Sequence, residues 1–179
     1  MSRHGGSNPS TSAMKIQKKR QMKEIIRADK FYNRRKVADD ITSMYIFTDN
    51  TDRDSGKSDI SEESWYSSKY GKGKHYPSVT SALIRGLDNA YPITTQRWYN
   101  KEHKGLTGRW NDEDIDEFKK VIDDDFEHIK SEMHKYEKIV FPFGGIFNSK
   151  IADISKLRVP KLYEYLMEKC LELKKQFEK

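Results

Sequence analysis

Apolar and polar positions along the chain fall into blocks of two kinds. Met44-Tyr45-Ile46-Phe47 is a continuous apolar run that stops in Thr48-Asp49-Asn50 and a polar loop through Gly56. A run of that length, bounded by turn formers, predicts a buried strand. Pro92-Ile93-Thr94-Thr95 and Lys138 to Pro142 have the same character. The second kind has helical spacing. Ile115, Phe118, Ile122, Phe126, Ile129 and Met133 recur at threes and fours behind Asn111, an N-cap with Asp112, Glu113 and Asp114 in the first turn. Leu162, Tyr163, Leu166, Cys170, Leu173 and Phe177 repeat the pattern, with Pro160 in the first helical position. Ser61 or Ser64 opens a shorter helix, and Ser78 caps another from Val79 to about Arg85, closed by Gly86. Asp123, Asp124 and Asp125 read as solvated charge, and Cys170 as packing.

Strands alternating with helices predict an α/β fold: a small mixed or mostly parallel sheet flanked by helices. Residues 1–13 are rich in Gly, Ser and Pro and have nothing to bury, so they read as a disordered tail. Residues 14–39 contain no Pro or Gly and read as a basic helical arm with a thin apolar edge. Residues 40–179 then form the single α/β domain.

Charge sharpens that division. Residues 1–36 hold eleven Lys or Arg against Glu24 and Asp29, a balance of +9 within a chain of net +6, so the remainder carries −3. The arm is therefore the feature that suits an anionic partner, with Lys15, Lys18, Lys19, Arg20, Lys23, Arg27, Arg34 and Arg35 as phosphate contacts. Its removal, residues 1–36, is expected to leave the domain folded. No apolar run reaches membrane-spanning length, the first residues lack a signal-type apolar core, and Cys170 is the only cysteine. A cytoplasmic setting is the expectation.

Candidate chemistry lies where the strands end. In open α/β sheets ligands bind outside the carboxyl ends of the strands. That places Asp49, Asn50, Thr94, Thr95, Gln96, Gly144, Gly145 and Asn148 around one crevice. Gly144-Gly145 permits close backbone approach to a ligand, though a tight strand-to-helix turn needs the same residues. Asn50, Asp52 and Asp54 alternate as in a calcium loop, but Ser55 and Ser61 stand where glycine and the bidentate acid belong. His128 and His134 point to different faces, so no metal is expected. Gly71-Lys72-Gly73-Lys74 lacks phosphate-loop spacing. Trp98 and Trp110 each follow an arginine, Arg97 and Arg109, and serve either as stacking groups or as ordinary packing.

Three pieces, Ile46-Phe47-Thr48-Asp49-Asn50, Tyr91-Pro92-Ile93-Thr94-Thr95 and Phe141-Pro142-Phe143-Gly144-Gly145-Ile146-Phe147-Asn148, resemble a family of phage-encoded, mostly uncharacterised α/β proteins. That family opens with a strand ending in a Phe-Gly-Asp-Asn type loop, and Thr48 stands here in place of its glycine. The third piece is also distantly similar to the strand and glycine loop of macro domains, which hold ADP-ribose. The resemblance implies an accessory protein acting in an infected host's cytoplasm, without naming a reaction.

Three functions follow as expectations. The first is a crevice for a nucleotide-like, ADP-ribose-like ligand, with enzyme status open and no cofactor implied. The second is a nucleic-acid-binding protein using the basic arm. The third is a protein-interaction module, either an inhibitor of a host factor or a virion component.

Overall fold

A computed structural model describes residues 22–50, 81–97, 109–147 and 153–179. Four strands form one sheet: β1 (Glu24–Arg27), β2 (Ser43–Asn50), β3 (Ala90–Gln96) and β4 (Lys138–Phe141). Their order is β1-β4-β2-β3, and every pairing is parallel. Among the described residues three helices flank the sheet: α1 (Arg34–Asp39), α2 (Ile115–Glu132) and α3 (Pro160–Phe177). Single 3-10 turns at Ser81–Ile84, Asp112–Asp114 and Met133–Lys135 complete the regular structure among the described residues. The α/β class is that of the sequence pattern.

Alternation along the strands sorts the core into two clusters. Met44 and Ile46 of β2, Tyr91 and Ile93 of β3, and Ile139 of β4 face α2 and α3. There they meet Phe118, Ile122, Phe126 and Ile129 from α2 and Leu162, Leu166, Leu173 and Phe177 from α3. On the opposite side Phe47 packs with Val37 of α1 and Ile84, with Tyr32, Tyr45, Leu87 and Ala90 around them. Full burial of a side chain of this size stabilises by about 1.5–3 kcal/mol.

The N-terminal segment departs from its sequence reading. Glu24–Arg27 is an edge strand paired along its length with β4, where the arm had been expected to be helical. Ile25 and Ile26 are β-branched, and the backbone groups of β4 offer a partner that an isolated helix lacks. Helix begins only at Arg34, where Asn33 Oδ1 accepts the N–H of Lys36 at 3.0 Å. Strand β1 and helix α1 both contribute to the fold, so cutting at residue 36 would remove an edge strand and the Tyr32 contact described below. The disordered tail and the start of the arm that the sequence predicts, residues 1–21, lie outside the described residues.

Helix α3 takes its cap from elsewhere in the chain. Its own N-cap, Val159, has no side-chain oxygen. Asp112 Oδ1 instead accepts from the N–H groups of Lys161 (3.2 Å) and Leu162 (3.4 Å). Arg158 fixes the approach: its guanidinium donates to Asp153 O at 2.8 Å and Trp110 O at 2.9 Å.

Candidate functional site at the carboxyl edge

Because all four strands are parallel, their carboxyl ends lie along one edge of the sheet. Neighbouring strands β4, β2 and β3 carry Gly144-Gly145, Asp49-Asn50 and Thr94-Thr95-Gln96 to that edge. Topology therefore gathers the sequence-predicted residues, with Asn148 lying outside the described ones.

Their side chains are largely engaged. Asp49 is buried, and its carboxylate receives the guanidinium of Arg85 through two bonds, one from Nε at 3.1 Å and one from Nη2. Asn50 ends β2, its backbone pairing with Gln96. Across the preceding pair, Asp49 with Thr94, the register shifts and leaves Thr95 as the extra residue of a bulge. Thr94 and Thr95 are buried, and Gln96 is half-buried. The N–H of Thr94 donates at 2.7 Å to Asp125 Oδ2, a carboxylate that α2 inserts into the interior. Asp125 had been read as solvated. Its position, three after Ile122 and four before Ile129, puts it within the apolar stripe of α2, and that spacing is the signal that marks it.

The gap between the two central strands is closed by another group. Strands β2 and β4 pair only from Ser43 to Tyr45. Beyond that point the Tyr32 hydroxyl lies 2.7 Å from Ile46 O and 3.0 Å from Val140 O, so it donates into the opening between them. Its ring meets Tyr45 edge-on at 5.4 Å. Burial, reinforced by the neighbouring Tyr45, pushes the Tyr32 phenol far above its ordinary range, which keeps it a donor. Nothing in the sequence around Tyr32 signals this role, because both acceptors are main-chain groups of distant strands.

The glycine turn is more open. Gly145 has φ +71°, a conformation that favours glycine, and a Cβ at Gly144 or Gly145 would meet nothing within 4 Å. Beside it Phe143 is 43% exposed, and its ring contacts Phe31, 49% exposed, edge-on at 5.2 Å. Ile26, in edge strand β1, is 37% exposed. Lying 112 positions apart, the two rings carry no sign of their pairing in the sequence.

The basic residues divide. Arg27 and Arg35 are exposed, as are Lys30 and Lys36, with Asp29 the exposed acid among them. Lys23 rests its ammonium over the Phe177 ring, 5.2 Å from the centroid. Arg34 departs from the expected phosphate contact. It is buried, with Nη1 donating to Leu83 O at 2.9 Å and Arg85 O at 2.7 Å, and so it holds the 3-10 turn against α1. Lys15, Lys18, Lys19 and Arg20 lie outside the described residues.

Of the Arg–Trp pairs, Trp110 is fully buried and packs edge-on against Phe118 at 5.5 Å. Arg97 sits over its ring at 5.9 Å and bonds Asp114 and Glu117. Trp110 is therefore core, and Trp98 lies outside the described residues. Cys170 is packed against the core, and burial pushes its thiol up to about 12. Among the described residues no three His, Cys, Asp or Glu side chains converge as a metal site, and no helix is long and apolar enough to cross a membrane. A groove of about 450 Å³ runs along α3, lined by Tyr163, Met167 and Leu171 with Glu164, Glu168 and Glu172, away from the strand ends.

Residues 27–169 match the model of a family described as a family of unknown function, DUF7831. The chain belongs to the DUF7831 family. No curated protein and no solved structure matches it. The matched span of this DUF7831 member starts at the last residue of β1, so most of the basic segment precedes it.

Proposed function

We propose that the protein binds nucleic acid through its basic N-terminal segment and the β1–α1 edge to which that segment is joined. The observation that carries this reading is the placement of charge. Residues 1–36, net +9, include the edge strand β1 and the start of α1, and their Arg27, Lys30, Arg35 and Lys36 stand exposed while the rest of the chain is net negative. Clustered cations of this kind gain affinity from counterion release. A phage accessory role in a host cytoplasm, as the family resemblance implies, belongs to the same proposal.

The test is fluorescence anisotropy of a labelled oligonucleotide with the full chain at several salt concentrations. Affinity should fall steeply with salt, and the triple variant Arg27→Ala, Lys30→Ala, Arg35→Ala should lower the log–log salt slope by roughly 2–3. Binding that is indifferent to salt and to the triple variant would refute the reading.

A second reading, a nucleotide-like small ligand at the carboxyl edge, is favoured by the open Gly144-Gly145 turn. The engagement of Asp49, Thr94 and Thr95 within the fold places it second. Native mass spectrometry of the protein as purified discriminates: a stoichiometric nucleotide-like compound released on denaturation supports the small-ligand site, and its loss in Gly145→Val locates it.

A further inference from the structure

We infer that Phe31 and Phe143 form a stacking platform for an unpaired base, which makes single-stranded nucleic acid the preferred ligand. The inference rests on the nucleic-acid reading above and specifies its substrate class. It starts from an apolar surface that the fold leaves uncovered. Among the described residues no helix packs over the α1 face of β1, and Ile26, Phe31 and Phe143 are each partly exposed. The two rings touch at 5.2 Å with an interplanar angle of 70°, so each fixes the orientation of the other. A ring held in place loses little freedom when a base stacks on it. The adjoining Gly144 and Gly145 carry no side chains, and the space above them is open.

The surroundings have the charge that a nucleotide backbone requires. Phe31 directly follows exposed Lys30, and exposed Arg27 ends the strand paired with Phe141, two residues before Phe143. An aromatic face beside cations is the combination that holds single strands, because every base has a π-face and every nucleotide a phosphate. A duplex keeps its bases stacked inside and offers this platform only phosphates. Stacking is therefore the feature that separates the two ligands. An apolar protein partner is the less suited occupant, since exposed Arg27 directly follows Ile26 and exposed Lys30 directly precedes Phe31 in the chain.

The experiment compares a labelled oligo-thymidine strand with a blunt duplex of equal length, using the full chain and its Phe31→Ala/Phe143→Ala variant. Both residues are partly exposed, so thermal unfolding should move little and serves as the check on folding. Loss of one stacked base should weaken single-strand binding by about tenfold or more and leave duplex binding within about twofold. Phe143→Trp should retain single-strand affinity, and the added tryptophan fluorescence should be quenched by the strand. Equal loss for both ligands, or no loss for either while salt dependence persists, overturns the platform and leaves the charge-driven reading standing. Absence of binding to either ligand by the unmodified protein overturns both.

Discussion

One face of the sheet is covered by α2 and α3, 18 residues each, and is joined by apolar contact. Among the described residues the other is covered by α1, six residues, and the 3-10 turn at Ser81–Ile84, and is joined largely by polar side chains reaching across. Arg34 holds the carbonyls of Leu83 and Arg85, and Arg85 holds Asp49. Ser81 Oγ accepts the N–H of Thr48 at 2.9 Å. The amide of Asn89 lies within 2.8 Å of both Val37 O and Asp40 O. A short helix cannot bury enough apolar area to secure a layer, so directional bonds do it. The difference has a functional side: among the described residues the thin covering ends before β1, and the aromatic pair is partly exposed.

If the faces are held so differently, matched truncations should separate them. Leu166→Ala, on the thick side, should cost about 2–5 kcal/mol by urea denaturation. Ile26→Ala, on the uncovered side, should cost well under about 1 kcal/mol, because its side chain is already partly in water. Equal losses would mean that the uncovered side is packed in solution, and would also remove the stage for base stacking.

The polar tethers predict the next largest effect. Arg85→Met leaves the Asp49 carboxylate buried without its guanidinium, which should cost about 3 kcal/mol. Adding Asp49→Asn to that variant should return part of the loss, since a neutral amide is cheaper to bury. If the double variant is no more stable than Arg85→Met alone, the pair is not the tether that the geometry indicates.

Asp125 brings one polar tether into the thick side. Asp125→Ala leaves the Thr94 N–H without its acceptor and should cost about 1–3 kcal/mol, whereas Asp125→Asn keeps an acceptor oxygen and should cost less. Hydrogen exchange at Thr94 should accelerate in the alanine variant and stay slow in the asparagine one.

These contrasts also explain what the sequence disclosed. The thick face was legible because apolar packing repeats with the element: Phe118, Ile122, Phe126 and Ile129 announce α2, and Leu162, Leu166, Leu173 and Phe177 announce α3. The glycine turn and the three strands after residue 40 were legible for the same reason. Strand β1 was not, because four residues of mixed character become a strand only through β4, more than a hundred residues away. Arg34, Arg85 and Tyr32 were hidden similarly, since each acts on a partner distant in sequence. The candidate site was legible as an edge of the sheet, but not as a set of occupied side chains. Loop chemistry suggests a ligand for Asp49 and Thr94, while the fold itself supplies their partners.

The smallest effect tests whether polar tethering matters on the outside of the thick face. Asp123 of α2 accepts from the Tyr165 hydroxyl and lies 2.9 Å from Lys169 Nζ, joining α2 to α3 at the surface. Partial burial pulls the Asp123 carboxyl upward, but the bonds from Tyr165 and Lys169 outweigh it and hold the group below its usual range. A depressed folded value means that the contribution is present above the unfolded pKa and is lost as pH falls through the folded one. The carboxylate is 45% exposed, so solvent screening limits the whole effect to about 0.2–1 kcal/mol. Urea midpoints for the unmodified protein and Asp123→Asn should therefore differ slightly at neutral pH and converge below about pH 4. A difference that persists in acid would assign Asp123 a packing role independent of its charge. Attachment on the thick face would then rest on packing even at this surface position.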